Sequence, residues 1–238
     1  MSDEIDTRVT PSLHPGVVKK VDGYDEETAP ILAATEEAFF AAYNGLRKVH
    51  DARELARANG AWTEAAQIIN TDNLARKQEQ QITRRFDKVH GDLKRGIALI
   101  EGELSSPVTT KATLQIAAEI RAHCKGLSSG SDRMNFVRSL INEGDELSAS
   151  AILGGPAFLS GLNNEQLGIF TRLYHETRQP ELSKRLKAMK AGLELIQTNA
   201  PLVFDQMAKA VGCPPHKVDK LRKAHTAAEK AMVFRDAN

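Results

Sequence analysis

The stretch ITRRFDKVHGDLKRGIALIEGEL, residues 82–104, decides the fold class. Its apolar positions Ile82, Phe86, Val89, Leu93, Ile97, Ile100 and Leu104 step by 4, 3, 4, 4, 3 and 4. That spacing lines one face of an α-helix and cannot line one face of a strand. The stripe is narrow, and charged side chains fill the rest of the surface. A helix of this kind is stable only when its stripe is buried, because a polar helix gains little from propensity alone. The cover is either the rest of this chain or a second copy of it. On the second alternative Ile82, Phe86, Val89, Leu93, Ile97 and Ile100 form an oligomer interface. From Phe86 to Ile97 the steps are 3, 4 and 4, an eleven-residue unit of about 3.67 residues per turn, which favours a nearly straight helix pairing over a heptad coil.

Upstream, the same helix extends to Thr63, a residue suited to capping its first turn. Residues 70–73, Asn-Thr-Asp-Asn, interrupt it with side chains that compete for backbone hydrogen bonds, so a kink or restart is expected there. Before it, Ala38, Phe39, Ala42, Leu46, Val49, Ala52 and Leu55 recur at helical spacing, and Asn59-Gly60 closes that helix. Residues 30–105 therefore form a long helical hairpin.

Residues 1–29 differ in kind. They carry Pro11, Pro15, Gly16 and Gly23 and acidic runs at both ends. They read either as a disordered tail or as an extended arm that docks on a neighbouring subunit, with one short β-like patch at residues 16–22. Residues 106–238 break into shorter helices that form a bundle. Pro107 suits the start of one, Ser131 caps another, Asn163 and Gln166 match a capping box, and Pro180 and Pro215 suit helix starts. Gly154-Gly155-Pro156 breaks the chain. No segment alternates long enough for a strand, and aromatic residues are only 5% of the 238. The predicted fold is all-α: an elongated helical hairpin followed by a helical bundle, with an N-terminal arm.

Charge is balanced, with 32 basic and 31 acidic side chains, so net charge selects no partner. Residues 1–60 carry 7 basic and 11 acidic groups, whereas residues 181–238 carry 11 and 6. Opposite ends of opposite sign favour contact within the fold or head-to-tail contact between copies. Two cysteines make no disulfide framework and suit a reducing compartment. No apolar run approaches a membrane span. Met1–Thr10 is polar and acidic, unlike a signal peptide, so the chain is expected in the cytoplasm when made.

Site chemistry is sparse. There is no GxxxxGK[ST], HExxH or GxSxG. Gly126–Asp132 is a glycine- and serine-rich stretch before a helix, read as a plain inter-helix loop or, alternatively, as one whose amides hold an anion. Cys213 and His216 have C-x-x-H spacing, but zinc needs further ligands. Tyr174 and His175 at a helix end would matter if a polar cleft gathered carboxylates around them. No catalytic, cofactor or metal residue is assigned, and no cofactor is expected. Arg76, Lys77, Arg84, Arg85, Lys88, Lys94 and Arg95 give the long helix 7 basic against 3 acidic groups between residues 76 and 95. Such a stripe either neutralises nucleic-acid phosphates or is a solvated face; Glu79, Asp87 and Asp92 are interspersed, and no aromatic residue accompanies it for base stacking.

Residues 149–162, Ala-Ser-Ala-Ile-Leu-Gly-Gly-Pro-Ala-Phe-Leu-Ser-Gly-Leu, followed by the Asn163 cap, resemble a segment of uncharacterised helical proteins of tailed phages and prophages. The likeness extends over about residues 145–197 and carries no catalytic motif. It implies a virion or assembly component, with copies of itself and other virion proteins as partners. Physically, Phe158 and Leu162 are expected to pack under a helix–turn–helix joint. The functional expectation is a non-enzymatic structural protein acting as a homo-oligomer. A nucleic-acid-binding or packaging factor is the first alternative, and an enzyme or regulator with a site in the bundle is the second.

Overall fold

The computed structural model describes residues 6–232, and among these the chain is helical with no strand. The helices are α1 (Ala29–Ala58), α2 (Glu64–Leu104), α3 (Leu114–Gly126), α4 (Gly130–Asn142), α5 (Glu146–Leu153), α6 (Asn164–Arg178), α7 (Pro180–Asn199), α8 (Leu202–Val211) and α9 (Pro215–Met232). The all-α expectation is met.

Side-chain caps open helices α2 to α6. The Thr63 hydroxyl accepts from Ala66 N at 3.3 Å. Asn163 and Gln166 form the reciprocal capping box, at 2.8 and 3.0 Å. Two starts differ from expectation. Pro107 does not open a helix; residues 107–112 run irregularly and α3 begins behind Thr113, whose hydroxyl accepts from Ile116 N. Val108 and Ala112 are buried in that irregular run, so tertiary burial holds it out of the helix. Helix α4 is capped by Ser129, not Ser131: Ser129 Oγ accepts from Asp132 N at 3.1 Å.

The expected interruption at residues 70–73 does not occur, and α2 is continuous over 41 residues. Three of the four turn-forming side chains are engaged in ways compatible with the helix. Thr71 Oγ1 donates to the Gln67 carbonyl at 2.8 Å. The Asp72 carboxylate is paired with Arg76 and Arg222, and Asn73 Oδ1 accepts from Arg222. Thr71 thus bonds back one turn into α2 itself, and Asp72 and Asn73 are held by arginine side chains, so these three leave the helix ladder unbroken.

Two compact units result. The first comprises the described residues up to Lys94 and from Ala188 onward; the second is Arg95–Lys187. These units do not follow the 30–105 and 106–238 segments, because α2 passes from one to the other and the C-terminal helices return to the N-terminal part. The two oppositely charged ends of the sequence thus share one unit.

In the first unit, α1 packs on α8 and on the segment before it. That segment holds two 3-10 turns, Pro11–Leu13 and Pro15–Lys20. The second replaces the expected β-like patch: a proline opens it, and His14 Nδ1 accepts from Gly16 N at 3.0 Å. Val9, Leu13 and Val18 enter the core with Phe39, Leu46, Phe86, Ala188, Val203 and Met207. Arg8 adds ion pairs to Asp6, Asp51 and Glu54. The described part of the expected arm therefore packs on its own chain through Val9, Leu13 and Val18, with Val17, Val21 and Tyr24 partly buried beside them. Residues 1–5 of the expected arm lie outside the described residues.

In the second unit, α3, α4, α5 and α6 enclose a core of Cys124, Val137, Ile141, Ile152, Leu162, Phe170 and Tyr174. Leu162 packs as expected. Phe158 does not: it stands on the 3-10 turn Ala157–Ser160 and is 67% exposed. A short turn has no second layer above it, so one side of it faces solvent.

Candidate functional site

The stripe of α2 was the first candidate, as an interface between copies. Ile82, Phe86, Val89 and Leu93 are buried in the core of the first unit, with Phe39 and Phe86 ring to ring at 5.1 Å. Ile97 and Ile100 are buried as well. This corrects the interface assignment: of the two covers the periodicity allows, the chain itself supplies the cover. Periodicity reports that a face is buried, not by what.

The basic residues of α2 lie on the opposite side. Lys77, Arg84, Arg85, Lys88, Lys94 and Arg95 are exposed. Arg76 is also exposed but is occupied, pairing with Asp72 at 2.8 Å and with Asp219 of α9 at 3.4 Å. Helix α9 is fixed to the first unit by buried Val218 and by Arg222, which reaches Asp72 and Asn73 of α2. Beyond Arg222, every described residue of α9 is exposed. These residues are far apart in sequence and carry no motif, so this link between α2 and α9 was not foreseeable from spacing.

The remaining candidates find other roles. In the Gly126–Asp132 loop, Ser128 and Ser129 hydroxyls donate to Asp132 Oδ2 at 3.0 and 2.8 Å. The helix N-terminus is thus filled by its own carboxylate, whose pKa those hydrogen bonds lower. Cys213 is buried and His216 exposed, and among the described residues no group of three or more His, Cys, Asp or Glu side chains can hold a metal. Tyr174 is part of the apolar core of the second unit, and His175 Nε2 lies 2.9 Å from the Ser106 carbonyl. Arg178 stacks over Tyr174 and pairs with Glu146. Tyr174 and His175 thus stand at the edge of a packed core.

The first unit has an open, largely apolar groove of about 300 Å³ between α2, α7 and α8, lined by Phe86, Ile196, Ala200 and Phe204. His90 and Gln197 meet at its edge, 3.4 Å apart. In the second unit several large apolar side chains are exposed. Leu114 is 87% exposed, and Phe158 and Ile169 are more than half exposed; Ile116, Leu147 and Leu159 are partly so. The turn bearing Phe158 and Leu159 packs directly against α3, which bears Leu114 and Ile116. Of these, Phe158 was expected to pack under a joint; hydrophobicity alone does not tell an exposed apolar residue from a core one until its neighbours are placed. No helix is long and apolar enough to cross a membrane among the described residues. No family model, curated protein or solved structure matches this chain.

Proposed function

We propose that the chain is a non-enzymatic structural or assembly protein that works as a homo-oligomer, and, from the resemblance of residues 149–162, that it is a phage virion component. The observation that supports this is the exposure of Leu114 and Phe158 on neighbouring elements of the second unit. Single exposed apolar residues are ordinary on a monomer, but large ones on packed neighbours mark contact surfaces. The self-contact therefore moves from the α2 stripe to α3 and the Ala157–Ser160 turn. Phe158 lies inside the stretch that carries the phage resemblance.

Light scattering at micromolar concentration tests the reading. The full chain should exceed the 26.1 kDa of one copy. Leu114→Lys with Phe158→Glu should return it to one copy without loss of helix content, since both side chains are exposed. A wild-type monomer at that concentration sinks the proposal.

A further inference from the structure

We propose that the cationic ridge of α2, continued by α9, binds the phosphate backbone of double-stranded DNA without reading its sequence. Lys77, Arg84 and Lys88 are spaced by 7 and 4 residues. At about 100° per residue they fall within about 40° of one line, over about 16 Å of helix. Buried Ile82, Phe86 and Val89 fix the rotation of α2, so this line is held outward by the core.

The interspersed acids weaken the ridge less than sequence alone suggests. Asp72 is closed between Arg76 and Arg222, and Asp219 pairs with Arg76. Glu79 lies beside Met207 and Val218, away from the ridge, and burial raises its carboxyl pKa. Asp87 and Asp92 sit on the flanks, about 60–80° off the line. The Arg76–Asp219 pair brings α9 alongside α2, and Lys220 and Lys223 of α9 are exposed next to it. The cations thus continue from one helix to the other within one unit.

The chemistry of the ridge selects the partner. Every exposed position from Lys77 to Lys88 is polar, so nothing there inserts into a lipid surface. No aromatic stands on the ridge to stack unpaired bases. What is left is charge attraction to a regular line of phosphates. B-form DNA admits a helix face between two phosphate rows, whereas the A-form major groove is too narrow.

The test is fluorescence anisotropy of the full chain with a labelled random duplex of about 25 base pairs, across 50–200 mM NaCl. With about four phosphate contacts, affinity should fall about 100-fold over that range and be indifferent to sequence. Lys77→Gln, Arg84→Gln and Lys88→Gln together should cut binding at least tenfold and lower the salt slope by about 3. Circular dichroism should be unchanged. The control Lys20→Gln, Lys48→Gln and Arg57→Gln removes the same charge elsewhere and should bind as wild type. No binding at 50 mM salt, equal loss in the control, or tighter binding to single strands, duplex RNA or anionic phosphatidylserine vesicles overturns the proposal. The oligomer proposal stands or falls separately, on the mass measured without DNA.

Discussion

Gly154 sits so close to Thr110 that a β-carbon on it would lie 2.8 Å from the Thr110 amide nitrogen. The same β-carbon would meet the Val108 carbonyl at 2.9 Å and the Ser150 carbonyl at 2.8 Å. All three are backbone atoms, so no side chain can swing aside. This contact seats the irregular run 107–112 on the end of α5, where Lys111 N also donates to Ser150 Oγ at 3.0 Å.

Gly154→Ala should therefore cost about 3 kcal/mol, the upper range for overpacking a core. Urea unfolding of the variant reads this as a lower midpoint at unchanged slope. Wild-type stability would show that the backbone run yields freely.

Two other glycines should behave oppositely. A β-carbon on Gly102 of α2 or Gly168 of α6 meets nothing within 4 Å. Each should gain about 0.5–1 kcal/mol on substitution by alanine, from helix propensity and a less flexible unfolded chain. Thermal unfolding should rise for each variant.

Asp6 should shape the acid limb of stability. Hydrogen bonds from Arg8, at 2.7–3.2 Å, lower its pKa from 3.8 to about 2, with burial opposing and Arg47 adding to the effect. A depressed folded-state value stabilises above the unfolded value and is lost as pH falls through about 2. Asp6→Asn should cost about 2 kcal/mol at pH 6. The gap between wild type and variant should close between about pH 4 and pH 2. A gap constant with pH would mean the carboxylate charge contributes nothing.

Leu13 should prove structural although it precedes the first long helix. It is fully buried in the core of the first unit. Leu13→Ala should cost about 2–4 kcal/mol, read by denaturant midpoint. A loss near zero would show that the segment before α1 does not contribute to that core.

Cys124 should be silent to thiol reagents in the folded chain. It is buried, and burial raises its thiol pKa, so little thiolate is present. In a Cys213→Ser background, modification at pH 8 should be on the order of 100-fold slower folded than in 6 M guanidinium. Equal rates would place Cys124 at the surface.

What the sequence by itself determined about this protein was local. The period of Ile82–Leu104 determined a helix, and Thr63, Asn163–Gln166, Pro180 and Pro215 determined where helices start, because caps and prolines act on backbone within one turn. It also located the cations of α2. Only the tertiary structure decided what covers the Ile82–Leu93 stripe, since a periodic face is equally served by its own chain or by a copy. It decided that Asn70–Asn73 stays helical, because the Arg222 that engages Asp72 and Asn73 lies about 150 residues away. It decided that Phe158 is exposed while Leu162 is buried, and that Asp72 and Asp219 are neutralised beside the basic ridge. Each of these depends on which distant side chain arrives, and local spacing carries no record of that.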